Sequence, residues 1–354
     1  MVGTPAINAN PQSDLRSVAL LAWYDRHRRI LPWRALPGER MEPYRVWLSE
    51  IMLQQTTVET VKPYFARFLA AWPDITALAA ADDQALLAAW AGLGYYARAR
   101  NMIACARHVV GTLGGVFPDT EEGLRALPGV GAYTAAAIAA IAFDRPAVVI
   151  DGNIERVITR LGAIATPVPA ARPEIRAALE PMVPSARPGD FAQALMDLGA
   201  GVCTPRNPDC LICPLQPFCA AAKAGTATAY PVKAAKKAKP VRFGTAYVVH
   251  DGAGRILLRT RPGKGLLAGM TEVPNSGWSE GEAPAAAPPL KADWLVLNAP
   301  VVHVFTHFEL RLTVHTATMP GPVPAPEDMR WVAIADLDSE PLPTLFRKVI
   351  AAAD

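Results

Sequence analysis

From about Ser13 to Val110 apolar side chains recur at intervals of three and four, with tryptophan, leucine and alanine on the repeating positions and short Gly, Pro or Asp breaks between them. That period is helical. In Tyr44-Arg-Val-Trp-Leu-Ser-Glu-Ile-Met-Leu the residues Tyr44, Trp47, Leu48 and Ile51 form one stripe, and Glu50 falls at its edge. Thr56 followed by Glu59 has capping-box spacing, so one helix is expected to stop near Gln54-Gln55 and another to begin, leaving both glutamines on a turn. Pro63 lies inside the second pattern and either kinks that helix or moves its start. A further helix is expected from Asp82-Asp83 to the turn Gly92-Leu-Gly94, with helix resuming at Tyr95. Asp119-Thr120-Glu-Glu starts a short helix that stops at Leu127-Pro-Gly129-Val-Gly131, and Ala132-Tyr133-Thr134 opens the next. Asp151 stands where the amphipathic stretch Ile154 to Leu161 needs an N-cap, and a helix through Phe191 to Leu198 leads into a run of cysteines.

After Cys219 the pattern changes. Ala, Lys and Pro dominate from Ala220 to Pro240, as in a linker, and two-residue alternation then takes over. Ala246 to His250 and Arg255 to Leu258 read as strands around the turn Asp251-Gly-Ala-Gly254. Val301 to Thr318 gives a second strand pair, Ala283 to Pro289 is low-complexity loop, and a terminal helix is expected over Leu342 to Ala353. The second domain is therefore α+β and of ordinary domain size.

Length and composition narrow the class. At 354 residues and 51% hydrophobic, the chain has material for two or three cores, and no apolar run reaches the roughly 20 residues needed to span a bilayer. No secretory h-region with a small-residue cleavage site is present, so a cytoplasmic, nucleoid-associated protein is expected. The net charge of +3 argues only weakly for a polyanionic partner. Distribution says more, because Lys223 to Arg242 holds six basic side chains and no acidic one, suiting either a solvated linker or a path along phosphates.

Five cysteines is an odd number, and Cys105 stands apart in a helical stretch. The other four, Cys203-x6-Cys210-x2-Cys213-x5-Cys219, follow metal-site spacing rather than a disulfide framework. Four soft thiolates ligate zinc or an iron-sulfur cube, and a structural loop is compatible with either. Zinc knuckles usually come as two short Cys pairs across a longer gap, whereas one continuously winding loop is what a compact cubic cluster needs. Leu127, Gly129 and Gly131 sit between two short helices in a helix-hairpin-helix pattern, where glycines let backbone N–H groups approach a phosphate at a helix start.

Taken together, these residues resemble the endonuclease III superfamily of base-excision glycosylases over about Ile30 to Cys219. Leu31-Pro-Trp-Arg34, Trp47-Leu-Ser-Glu-Ile-Met-Leu-Gln-Gln-Thr56, Gly92-Leu-Gly-Tyr-Tyr96 and the appended second domain are similar to the MutY family of adenine glycosylases within it. The resemblance implies a multidomain protein with an all-α helix-hairpin-helix core and a [4Fe-4S] loop on Cys203, Cys210, Cys213 and Cys219, followed by an α+β Nudix-like domain. The implied boundaries are 1–29 with 146–223 for the cluster domain, 30–145 for the six-helix domain, 224–242 for the linker and 243–354 for the Nudix-like domain. It further implies a monomer acting on double-stranded DNA that carries adenine opposite 8-oxoguanine or guanine, with no membrane partner.

By position alone Glu50 is an exposed helix residue and Asp151 a cap. The resemblance makes Glu50 the general acid and Asp151 the second carboxylate, the pair that N-glycoside cleavage requires. A site at the edge of an apolar stripe favours the acid form of Glu50, and a helix start is expected to keep Asp151 ionised. Lyase members of the superfamily carry a lysine two residues past the last hairpin glycine, where this chain has Tyr133, so a monofunctional enzyme using water is implied. By the same resemblance Tyr133 lies near the reacting sugar, Asn153 assists the acid-base pair, Gln55 and Tyr95 sit at the DNA, and Gln193 reads the adenine edge. Phe305-Thr306-His307 occupies the place of a Phe-Ser-His loop that reads 8-oxoguanine, with threonine retaining the hydroxyl and adding a methyl. The segment Leu267 to Asn275 is not followed by the acidic helix that binds magnesium in active Nudix hydrolases. The competing readings are a pyrimidine-lesion glycosylase with lyase activity and a non-catalytic iron-sulfur DNA-binding protein.

Overall fold

The computed structural model describes residues 14–36, 38–234, 238–262, 265–285 and 287–353. The chain divides into two compact units, Met1–Ala79 with Ala104–Ala235, and Ala80–Ile103 with Lys236–Asp354. Within the basic run, Lys236 and Lys237 lie outside the described residues.

The first unit is helical. It holds α1 (Leu15–His27), α2 (Pro43–Leu53), α3 (Val58–Ala71) and α4 (Ile75–Ala79). The chain leaves it for α5 (Asp83–Trp90) and returns along α6 (Ala97–Leu113). Then come α7 (Glu121–Arg125), α8 (Ala132–Phe143), α9 (Gly152–Leu161), α10 (Arg172–Leu179), α11 (Pro188–Gly201) and α12 (Ala220–Lys223). The helix at the centre is α8, against which α2, α7 and α11 all pack. Its Ala135, Ala136, Ala137, Ile138, Ala139 and Ala140 are all buried, and side chains that small let neighbouring backbones come close.

Caps explain where these helices start, and they shift some sequence expectations. The cap of α3 is Thr57, whose hydroxyl accepts from the Thr60 amide, and not Thr56; the Thr56–Glu59 capping box does not form. Pro63 is carried inside α3, so the helix start did not move past it. Tyr95 is not helical: its φ is 47°, and α6 opens only at Ala97. Asp82, Thr120 and Asp151 cap α5, α7 and α9 as the pattern indicates.

The second unit is built on a mixed eight-stranded sheet. Its strands are β1 (Val241–His250), β2 (Arg255–Thr260), β3 (Thr271–Glu272), β4 (Ser279–Glu280), β5 (Leu295–Val296), β6 (Val301–Val304), β7 (Glu309–Thr318) and β8 (Met329–Ala333). The expected hairpins, β1–β2 and β6–β7, are both antiparallel, while β1 and β7 run parallel over their full length at the centre. The terminal helix α13 (Thr344–Ala353) packs on β1, β6 and β7. Glu272, in the Nudix-like segment, is fully buried and accepts from Arg259 Nε at 2.8 Å and Arg261 Nη1 at 2.5 Å. That carboxylate is committed to an internal ion pair.

Candidate active site

Glu50 is 5% exposed, so it does not face solvent as its place at the stripe edge suggested. The reason is that α2 is covered on two sides, by α3 and by α8. Tyr133, near the start of α8, donates its hydroxyl to Glu50 Oε2 at 2.7 Å. Burial pushes the Glu50 carboxyl up to about 7; the Asp151 charge adds to the rise, whereas the Tyr133 hydrogen bond and the Arg34 charge oppose it. Burial beside Glu50 also holds the Tyr133 phenol well above its ordinary range, so it serves as a donor and stays protonated.

Asp151 caps α9 through Oδ1, which accepts from the Ile154 amide at 2.7 Å, while Oδ2 accepts from Asn153 Nδ2 at 3.0 Å. Asn153 is held in turn by Arg156 Nη2 on its Oδ1 at 2.9 Å. Burial raises the Asp151 carboxyl too, against the expectation drawn from its helix start, and the Ile154 and Asn153 donors counter that rise. The two carboxyls therefore differ in how many N–H groups support the anion: two for Asp151, none for Glu50.

Both carboxyls line one cavity of about 540 Å³. Tyr133, Asn153, Gln55 and Gln193 line it as well, so the helical unit brings together every site residue assigned to its acid-base pair and base-reading positions. Gln55 sits on the expected turn with φ 58°, and Gln193 donates to Gly189 O at 3.3 Å. The hairpin lies on the same unit. Leu127 is buried, Gly129 takes φ 74°, and Gly131 heads α8 exposed, with no side chain capping the first-turn amides. A helix start that no side chain caps suits an anion.

Tyr95, Phe305, Thr306 and His307 belong to the second unit. Tyr95 and Thr306 share a hydroxyl-to-hydroxyl hydrogen bond of 3.0 Å. Phe305 is packed among Trp278, His303 and Phe308 at centroid distances of 5.8, 4.6 and 4.8 Å, leaving Thr306 and His307 exposed on the turn between β6 and β7.

Cys203, Cys210, Cys213 and Cys219 line a single small cavity of about 30 Å³ in the loop after α11, and none forms a disulfide. Arg160 Nη1 donates to Cys203 Sγ at 3.2 Å, and its other N–H groups bind the carbonyls of Thr204 and Pro205. Four soft sulfurs around one space, with a buried guanidinium to offset their charge, fit an iron-sulfur group. Cys105 is buried by itself in α6.

Sequence reasoning gave no role to three polar residues here, although Arg34 closes the Leu31-Pro-Trp-Arg34 motif. Arg29 and Arg34 line the cavity and both donate to Asp197, whose side chain is only 1% exposed. The available signal was spacing: Asp197 follows Gln193 by four residues and so shares its helix face.

Comparison with known proteins agrees with this layout. Residues 48–184 match the HhH-GPD superfamily of base excision DNA repair proteins, 203–219 the iron-sulfur binding domain of endonuclease III, and 245–352 the NUDIX domain. The adenine DNA glycosylase of Homo sapiens is 36% identical, the alignment covering 94% of this chain and 72% of that one. That of Rattus norvegicus is 35% identical over 99% and 81% of the two chains. Among solved structures, a thermostable thymine-DNA glycosylase superposes with a TM-score of 0.53 at 28% identity, covering 61% of this chain and 98% of that one.

Proposed function

Since the chain belongs to the adenine DNA glycosylases, base-excision enzymes with an iron-sulfur domain and a Nudix domain, we propose that it hydrolyses adenine from duplex DNA in which that base faces 8-oxoguanine or guanine. The single observation that carries the chemistry is the shared cavity, where Glu50 is buried with its acid form favoured and Asp151 is held by two N–H donors.

The extruded adenosine enters that cavity. Glu50 gives its proton to a ring nitrogen of adenine, the electron pair of the glycosidic bond leaves with the base, and the sugar becomes oxocarbenium-like. Asp151 supplies the facing negative charge, Asn153 fixes its orientation, and Tyr133 fixes that of Glu50. Water then adds to the sugar and returns a proton to Glu50. Tyr133 stands where a Schiff-base lysine is needed, so strand cleavage is not part of the reaction. Gln193 reads the adenine edge, the hairpin with Gly129 and Gly131 holds phosphate, and Gln55 fills the stack. In the second unit Tyr95, Phe305, Thr306 and His307 meet the 8-oxoguanine. Cys203, Cys210, Cys213 and Cys219 would hold a [4Fe-4S] cluster, which would tie down the loop carrying exposed Arg206. The protein works as a monomer in the cytoplasm.

Labelled duplexes bearing adenine opposite 8-oxoguanine, adenine opposite guanine, or thymine glycol test this, with base loss and strand breakage scored separately. Adenine should be lost fastest opposite 8-oxoguanine, and strands should break only after alkali. Release of thymine glycol with adenine untouched, or breakage without alkali, would overturn it.

A further inference from the structure

The proton on Glu50 has to persist beside a permanent cation. Arg34, with its side chain 8% exposed, lines the Glu50 cavity, yet its guanidinium is turned onto Asp197, Nη1 to Oδ2 at 2.6 Å and Nη2 to Oδ1 at 2.9 Å. The same carboxylate accepts the Arg29 amide at 3.0 Å and Arg29 Nε at 2.6 Å. Four donors thus converge on one buried anion. A buried pair of this kind adds little stability over apolar packing, which points to a role in specifying where the cation sits.

We propose that Asp197 is a positioning residue for the acid: its two-pronged grip keeps the Arg34 guanidinium from pairing with Glu50, which is thereby left to carry its proton until the purine arrives. The proposal rests on Glu50 being the proton donor. The other charged or titratable groups near Glu50 are Tyr133 from α8 and Asp151 at the head of α9; Glu155 and Arg172, also on the cavity wall, pair with each other at 3.5 Å. Among the described residues the Arg34 guanidinium makes no hydrogen bond to any of these groups; it binds Asp197 and the Arg29 carbonyl. With the charge at position 197 removed, Arg29 and Arg34 both lose the carboxylate that holds them, and a free Arg34 stabilises the ionised form of Glu50.

The test is single-turnover adenine release by the full chain from pH 5.5 to 9, on duplex with adenine opposite 8-oxoguanine, with folding checked by melting and iron-sulfur absorbance. In the parent the rate falls toward high pH as Glu50 loses its proton. Asp197→Asn should move that fall about one pH unit toward acid, making release about tenfold slower on the alkaline side with little change at the acid end. Asp197→Glu should restore the profile in part, and adding Arg34→Met to Asp197→Asn should send the fall back toward alkali. A uniform loss at every pH with the fall unmoved, or a double variant that keeps the acid displacement, would overturn the proposal. Should Asp197→Asn not fold, Arg34→Met alone decides, because removing the cation must displace the fall toward alkali and an unmoved profile refutes the idea. Glu50→Gln separates the two layers: release at the parental rate defeats the acid assignment itself, whereas an inactive Glu50→Gln beside an unmoved Asp197→Asn profile defeats only the role of Asp197.

Discussion

Glu50→Gln should stabilise the fold while it abolishes adenine release. The carboxyl is 5% exposed and titrates near 7, against 4.5 for an unperturbed glutamate. Because the folded value is the raised one, the folded chain holds this proton more tightly than the unfolded chain does. That contribution is fully present below pH 4.5 and is lost as pH climbs to 7. Above pH 7 the parent therefore bears a burial cost of roughly 3 kcal/mol that a neutral isostere escapes. Glutamine keeps a carbonyl to accept the Tyr133 hydroxyl, so the hydrogen bond itself survives the change. Equilibrium urea unfolding of both proteins, followed by tryptophan fluorescence, gives the difference in unfolding free energy at each pH. From pH 5.5 to 8 the difference should grow in favour of the variant by about 2 kcal/mol. A difference that stays flat with pH, or shrinks, would show that Glu50 is not held as a buried acid, and the argument for its proton would fall with it.

Tyr133→Phe removes the only hydrogen bond described on Glu50, so the alkaline fall of the excision profile should move to higher pH; an unmoved profile would mean that this phenol does not govern the acid. Asp151→Asn keeps an oxygen to cap α9, so excision should be lost with the cap retained, whereas Asp151→Ala should lose excision and melt lower than Asp151→Asn by the equivalent of about 1 kcal/mol. Gly189→Ala would place a Cβ 2.6 Å from Ala140 O, forcing α11 from α8 at a cost of roughly 1–3 kcal/mol, readable as a lowered melting temperature.

What was legible in the sequence is what period, caps and ligand spacing encode. The hydrophobic period gave the main helices, and Asp151 was identifiable as a cap because an extended residue with a short acceptor side chain precedes an amphipathic run. The four cysteines were legible because soft ligands must lie close along a loop. Local rules failed where competition decided. Thr56 and Thr57 both offer a capping hydroxyl, and the chain used the second. The two-residue strands β3, β4 and β5 are too brief to show alternation, and like the five-residue β8 they form by pairing along β1, β2 and β7. The burial of Glu50 was not visible from α2, since it depends on α3 and α8 arriving from elsewhere in the chain. Asp197 escaped notice for the same reason: its partners lie 163 and 168 residues away.

The packing of α8 links these points into one cause. A helix whose inner face is almost entirely alanine is tolerated in water only because α2, α7 and α11 close over it, and its thinness brings α2 near enough for Tyr133 to reach Glu50 in a single hydrogen bond. Gly131 is exposed at its head and brings no side chain to cap it, so in the proposed reaction the helix that orients the acid also presents a site for phosphate. Anchoring one strand of DNA at the head of α8 would therefore set the distance from backbone to acid by the rigid geometry of that helix. A lysine in place of Tyr133 would have brought a nucleophilic amine to the same spot, but also a second cation beside a carboxyl that has to stay protonated. Phenol and amine thus commit the site to different chemistry: one preserves an acid for a leaving base, the other supplies a nucleophile for the sugar.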